Sequence, residues 1–260
     1  MELIIIGLAA GLASALTLFS GFGLGTVLTP VFALFFPIPL AVAATAVVHF
    51  ANNLFKFGLM ARQADWHVVY RFGFPAALAA LGGAFLLTWV DRLPALASYA
   101  LGGTMHDITA VKVVIGLLIA VFALLELSPR FQKLALPPRW LPFGGALSGF
   151  FGGLSGNQGA LRSAFLLKIG LTKEAFVATG VVSAVVVDAS RLIVYGTGFM
   201  AEHFSRSQEL ALPVAVGTAC AFAGAVIGKR VLHKVTLRTV QVVVAIAMLM
   251  VGTALIAGII

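Results

Sequence analysis

Apolar segments of membrane-helix length run through almost the whole of this chain. Charged residues make up only 10% of its 260 residues, whereas a soluble domain carries about 25%. The segments show no alternation of apolar and polar residues, which a membrane-spanning strand would need. The sequence therefore predicts an all-α polytopic membrane protein. The apolar segments are residues 3–19, 24–36, 40–60, 72–90, 109–127, 140–155, 159–169, 174–197, 208–228 and 236–260.

The two halves of the chain resemble each other. Gly11 corresponds to Gly145 at a fixed offset, and the stretch "ATAVV" at 44–48 corresponds to "ATGVV" at 178–182. In each half, one segment (24–36 or 159–169) follows a glycine cluster and is shorter than the roughly 20 residues that a span requires. Weak internal symmetry with interrupted segments is typical of transporters built from repeats.

We therefore expect two inverted-topology repeats, residues 1–127 and 140–260, joined by a linker at 128–139. Each repeat should contain a broken or re-entrant helix pair followed by three long transmembrane helices. Pro75 and Pro213 are each expected to open the next helix of their half.

The distribution of basic residues predicts the orientation. Most of the 17 lysines and arginines fall in four loops that would share one face of the bundle, and Lys56 is assigned to the first of these loops. By the positive-inside rule this face is cytoplasmic. The linker would then be cytoplasmic, and both termini would be extracytoplasmic.

Four ionisable residues fall inside the predicted spans: His49, Arg162, Asp188 and Arg191. Because a charge at the centre of a membrane helix costs about 2.5–3.5 kcal/mol on insertion scales, such residues are functional candidates. Arg162 follows the break before segment 159–169. With the neighbouring amides Asn157 and Gln158, it is predicted to form an anion-binding corner. The alternative is that Arg162 only ties helix ends together by bonding carbonyls.

A polar stripe on segment 40–60 is predicted to line a substrate pathway. Thr45, His49, Asn52, Asn53 and Lys56 share one helical face. In the second half, Asp188 and Arg191 either neutralise each other or take part in substrate binding and gating. His49 and Asp188 are candidates to carry a coupling proton; for His49 alone, a hydrogen-bonded core histidine is the alternative.

The glycine clusters supply the remaining substrate-site candidates, and one of them suggests a rival activity. Ser155 lies in "GLSG", a turn in which an intramembrane serine protease can present its nucleophile, but the second half has no buried histidine to serve as its base. The candidates are Ser20, Gly21, Gly23, Ser155 and Gly156.

Other kinds of partner are not indicated. The single cysteine, Cys220, excludes an internal disulfide and a multi-cysteine metal site, and no cofactor is expected. The net charge of +8 is explained by loop residues, so no nucleic acid is expected. The expected partners are the lipid bilayer and a small anion, and a homo-oligomer is compatible with the sequence.

The paired motifs "GLASALTLFSGFGLGTVLTPVFAL" and "GALSGFFGGLSGNQGALRSAFLL" resemble the TauE/SafE family of sulfite and organosulfonate exporters. The resemblance implies a multi-pass permease of the bacterial inner membrane that exports sulfite, sulfoacetate or a related anion. Asn157, Gln158 and Arg162 stand where the family pattern has plain glycines, and no proline follows them, which favours an anionic substrate. A passive anion channel with the same donors is the main alternative.

Overall fold

A computed structural model describes residues 1–20, 23–134, 136–167, 169–197, 209–231 and 237–260. The helices of the first half are α1 (Glu2–Ser20), α2 (Leu24–Ala33), α3 (Ile38–Met60), α4 (Trp66–Asp91) and α5 (Ala110–Leu127). A short helix, α6 (Pro129–Gln132), lies in the linker. The second half contains α7 (Leu141–Ser155), α8 (Gly159–Leu166), α9 (Lys173–Thr197), α10 (Ala211–Val231) and α11 (Leu237–Ile256).

The structure confirms a helical membrane protein. Among the described residues, four stretches are long and apolar enough to cross a bilayer. They are Ile38–Gln63, Trp66–Asp91, Ala110–Leu127 and Lys173–Thr197.

Two expectations about the first half are wrong. Pro75 lies inside α4, because the helix begins at Trp66, where Asp65 caps it by accepting a hydrogen bond from the Val68 amide (3.0 Å). Lys56 does not lie in a loop: it belongs to α3 and is buried, with only 5% of its surface exposed.

A β-hairpin joins α4 to α5 and adds a small sheet to the helical bundle. Strands β1 (Ala95–Leu101) and β2 (Thr104–Thr109) pair antiparallel. Gly102 and Gly103 form the turn with φ of 62° and 83°, conformations that favour glycine. The hairpin packs on the end of α11, where the Tyr99 hydroxyl donates to the Ala257 carbonyl (2.7 Å).

We call the two ends of the helical bundle the terminal end and the linker end. The terminal end carries the start of α1, the hairpin and the end of α11; Glu2 and Phe36 line one cavity at this end. The linker end carries α6, and there the Leu136 amide donates to the Ala164 carbonyl of α8 (3.2 Å).

Each short helix returns to the end from which its partner started. The residues just after α2 lie beside Glu2 at the start of α1. Likewise, Gly144 near the start of α7 lies against Phe165 near the end of α8. The pairs α1–α2 and α7–α8 are therefore helical hairpins whose open ends lie at opposite ends of the bundle.

Closely packed helix pairs hold the bundle together: α4 with α7, α1 with α10, α5 with α11, and α3 with α9. In α7, Gly145, Gly149 and Gly153 form a stripe against the backbone of α4, and a Cβ atom at any of them would overlap an α4 carbonyl. Without a hydrophobic driving force between helices in lipid, such small residues allow the close approach that gives van der Waals packing.

Replacing Gly149 with Ala should lower the thermal unfolding temperature of the detergent-purified protein. The new methyl group would overlap the Ala76 carbonyl, and overpacking of this kind costs about 1–3 kcal/mol. Gly82→Ala on α4 is the matched control, because nothing lies within 4 Å of its Cβ position. Equal unfolding temperatures for the two variants would show that the glycine stripe does not set the packing of α4 on α7.

Candidate functional site

The tips of the two helical hairpins meet inside the bundle. Gly156 ends α7 with φ of 83°, a left-handed conformation that glycine adopts without strain. Its carbonyl oxygen lies 2.8 Å from the position that a Cβ atom would take at Gly25 in α2. The Cβ position of Gly23 is 3.8 Å from the amide nitrogen of Gly159, the first residue of α8. Both breaks are therefore in contact, and a larger side chain at Gly25 would separate them.

Asp188 on α9 is the centre of a buried polar network beside these tips. Its Oδ2 accepts a hydrogen bond from Nδ1 of His49 on α3 (2.5 Å). Its Oδ1 is contacted by the Arg191 guanidinium, with Nη2 at 2.7 Å and Nε at 3.0 Å. The same oxygen accepts from Nε2 of Gln158 (3.2 Å). One carboxylate thus joins α3, α9 and the break between α7 and α8.

Arg191 ties this network to the end of α7. Its side chain is completely buried, and Nη1 donates to the Gly152 carbonyl (3.1 Å). One turn farther along α9, the Tyr195 hydroxyl donates to the Gly153 carbonyl. The Gly152 carbonyl also accepts the Gly156 amide that closes α7 (3.0 Å), so Arg191 and Tyr195 bond to two successive carbonyl groups in the last turn of α7. Asp188 and Arg191 neutralise each other in this arrangement.

The other predicted residues of the first half lie at the same α3 surface. Asn53 is buried and donates from Nδ2 to the His49 carbonyl (2.9 Å). Asn52 is also buried, and its Oδ1 accepts from the Ser14 hydroxyl of α1 (3.1 Å). Of the glycine-cluster candidates, Gly21 and the side chain of Ser20 lie outside the described residues.

Ser155 is engaged within the break. Its hydroxyl donates to the Phe151 carbonyl (3.1 Å), and it accepts from Nδ2 of Asn157 (3.1 Å). His49 is instead bonded to Asp188. Within the described part of the chain, no serine–histidine pair of the kind that a serine protease needs is formed at Ser155.

Arg162 forms no ion pair with Asp188, although Asp188 and His49 lie within its electrostatic range. The Arg162 Nε lies 3.4 Å from the position that a Cβ atom would take at Gly180 on α9. Gly180 precedes Asp188 by eight residues, so it lies roughly 12 Å closer to the linker end along the helix. The Arg162 Nη1 is buried and has no hydrogen-bond partner. The amides of Asn157 and Gln158, which the sequence grouped with Arg162, donate inside the protein to Ser155 and Asp188.

Lys56 belongs to the polar stripe of α3, as its spacing in the sequence predicts. It is buried on the inward face of α3, one turn beyond Asn52 and Asn53, and it lies within electrostatic range of Arg162. The sequence also counts Lys56 with the loop after segment 40–60, and Lys56 is therefore not among the predicted substrate-binding residues.

Residues 3–255, nearly all of the chain, match the family described as "Sulfite exporter TauE/SafE". A comparison with curated proteins finds no match.

Replacing Asp188 with Asn should destabilise the protein strongly, because Arg191 would remain buried without a compensating charge. Removing one partner of a buried ion pair typically costs about 3–5 kcal/mol. The double variant Asp188→Asn/Arg191→Met removes both charges and should recover part of this loss, as measured by thermal unfolding in detergent. If the two changes were additive, the pair would not be energetically coupled. Asp107→Asn in the exposed hairpin is the control for loss of a carboxylate.

Proposed function

Because the chain belongs to the sulfite exporter TauE/SafE family, it is a membrane transporter, and we propose that it exports a small sulfur-containing anion such as sulfite or sulfoacetate. The anion would bind beside the meeting point of the two broken helices. In this proposal Arg162 is the principal contact. The glycines at 25 and 156 allow the two hairpin tips to lie close together.

The observation that carries the proposal is the buried, unpartnered Nη1 of Arg162. A guanidinium removed from water loses several kcal/mol of solvation unless an opposite charge or acceptors replace the water. No described carboxylate forms an ion pair with Arg162. A sulfonate or sulfite group offers oxygens that match the planar fork of arginine, so a bound anion would supply the missing partner.

The proposal gives the Asp188 network a second role. His49 and Asp188 join α3 to α9 through one hydrogen bond of 2.5 Å. These two helices come from different halves of the chain, so a proton taken up or lost at this bond would change the contact between the halves. We assign the coupling proton to this pair. In liposomes, an imposed proton gradient should then drive export; a passive channel would respond only to the gradient of the anion itself.

The proposed mechanism uses two inverted repeats, residues 1–127 and 140–260. Two observations support the repeat. The open ends of hairpins α1–α2 and α7–α8 lie at opposite ends of the bundle. In addition, α3 runs antiparallel to α9, since His49 contacts Asp188 while the Asp65 amide contacts Thr179. Alternating access in such transporters comes largely from rocking one repeat against the other.

Replacing Arg162 with Ala should weaken binding of the cognate anion ten- to a hundredfold. A charge-assisted hydrogen bond in a buried site contributes about 1.5–3 kcal/mol. Arg162→Lys should restore binding only in part, because the ammonium keeps the charge and loses the planar fork. The measurement is calorimetric titration of detergent-purified, monodisperse protein with sulfite and with sulfoacetate.

The matched control is Arg71→Ala, which removes an exposed arginine near the same end of the bundle. It should bind as tightly as the wild type. If Arg162→Ala bound the anion as tightly as the wild type, the proposed site would be contradicted. Arg162 would then have only the structural role of joining helix ends.

The proposed orientation in the bacterial inner membrane places the linker in the cytoplasm and both termini outside. It is tested in intact cells with single cysteines in a Cys220→Ala background. Lys133→Cys in the linker is exposed, and Leu96→Cys replaces a hairpin residue that is 63% exposed. An impermeant thiol reagent added outside should label Leu96→Cys but reach Lys133→Cys only after the cells are opened. Labelling of Lys133→Cys in intact cells would show that the orientation is the reverse of the proposed one.

A further inference from the structure

Lys56 and Arg162 lie at the same level of the interface between α3 and α9. The contact between His49 and Asp188 fixes the register of these antiparallel helices. Lys56 is two turns beyond His49, and so lies opposite the part of α9 two turns before Asp188. Gly180, against which the Arg162 side chain packs, belongs to that part of α9. The geometry therefore brings two cationic side chains from different halves of the chain to one place.

These two charges differ from Arg191 because neither forms an ion pair, and Arg162 has only the longer-range attraction of Asp188. Arg191 is paired with Asp188. Neither Lys56 nor Arg162 forms an ion pair with any carboxylate that the structure describes. The acid nearest in sequence to the end of α3, Asp65, is engaged at the N-terminus of α4 by the Val68 amide. The interface therefore holds two positive charges that repel each other.

We propose that Lys56 and Arg162 form a two-cation site that selects a doubly charged anion over a singly charged anion with the same head group. This inference rests on the proposed function, since it takes Arg162 as a substrate contact. Two like charges in a poorly solvated interface raise the free energy of the empty site. A monoanion offsets one of them, whereas a dianion offsets both.

The different side-chain chemistry of Arg162 and Lys56 suits them to different roles in binding the anion. The guanidinium of Arg162 can hold two oxygens of a sulfonate or sulfite group at once. The ammonium of Lys56 is a compact charge on a flexible stem and has no fixed fork. We therefore infer that Arg162 recognises the sulfur oxyanion and that Lys56 responds to the second charge, such as the carboxylate of sulfoacetate.

The test compares two ligands of similar size that share a sulfonate: sulfoacetate, with two negative charges, and isethionate, with one. Calorimetric titration of the wild-type protein at neutral pH should show at least tenfold tighter binding of sulfoacetate. Lys56→Gln should weaken sulfoacetate binding about tenfold or more and leave isethionate binding nearly unchanged, so that the preference disappears. Lys133→Gln, which removes an exposed lysine of the linker, should keep the wild-type preference.

The outcomes separate this inference from the proposed function. Equal binding of the two ligands by the wild type, or an unchanged preference in Lys56→Gln, would overturn the two-cation site. If binding of both ligands still required Arg162, the proposed function would stand. If Arg162→Ala bound both ligands as tightly as the wild type, both proposals would fail. Lys56→Arg, which keeps the charge, provides a second variant should Lys56→Gln not fold, and it should retain the preference for sulfoacetate.

Discussion

Compensation of buried charge is the constraint on which the rest of this structure depends. Asp188 lies at 0% exposure in an apolar bundle and is contacted by His49, Arg191 and Gln158. Such a carboxylate is tolerated only when charged and hydrogen-bonding partners replace the water that it has lost. The partners of Asp188 come from α3, from α9 and from the break that follows α7. Their contacts with this one carboxylate therefore join three parts of the structure. The same network therefore holds the two halves of the chain in register.

In our proposal, the two cations without an ion-pair partner have a ligand-binding role, in contrast to the structural role of the Asp188 network. Arg162 and Lys56 lie nearer the linker end, on the same interface, and no described acid pairs with them. Because Arg191 is paired and these two cations are not, we propose that a charge supplied from outside binds between them. For a member of a sulfite exporter family, that charge is the transported anion in our proposal. The contacting hairpin tips give the two halves a common boundary close to it.

The sequence predicted the helices well because a membrane helix is a long local signal, and α3, α5 and α9 begin and end within two residues of the expected segments. Prediction from the sequence was wrong where contacts with residues distant in the chain determine what a residue does. Pro75 is tolerated inside α4, where sequence alone suggested a helix start. The hairpin was missed although Gly102 and Gly103 are a recognised turn signal. The bond from Arg191 to the Gly152 carbonyl depends on helix packing, which spacing does not encode.

The most direct test of the central claim is to locate the bound anion. Selenite has the shape and charge of sulfite, and its selenium atom can be identified by anomalous scattering in crystals of the protein. We expect one selenium peak between the side chains of Arg162 and Lys56, and no such peak in crystals of Arg162→Ala. A selenium peak at the Asp188 network or in the cavity beside Glu2, with none near Arg162, would contradict it.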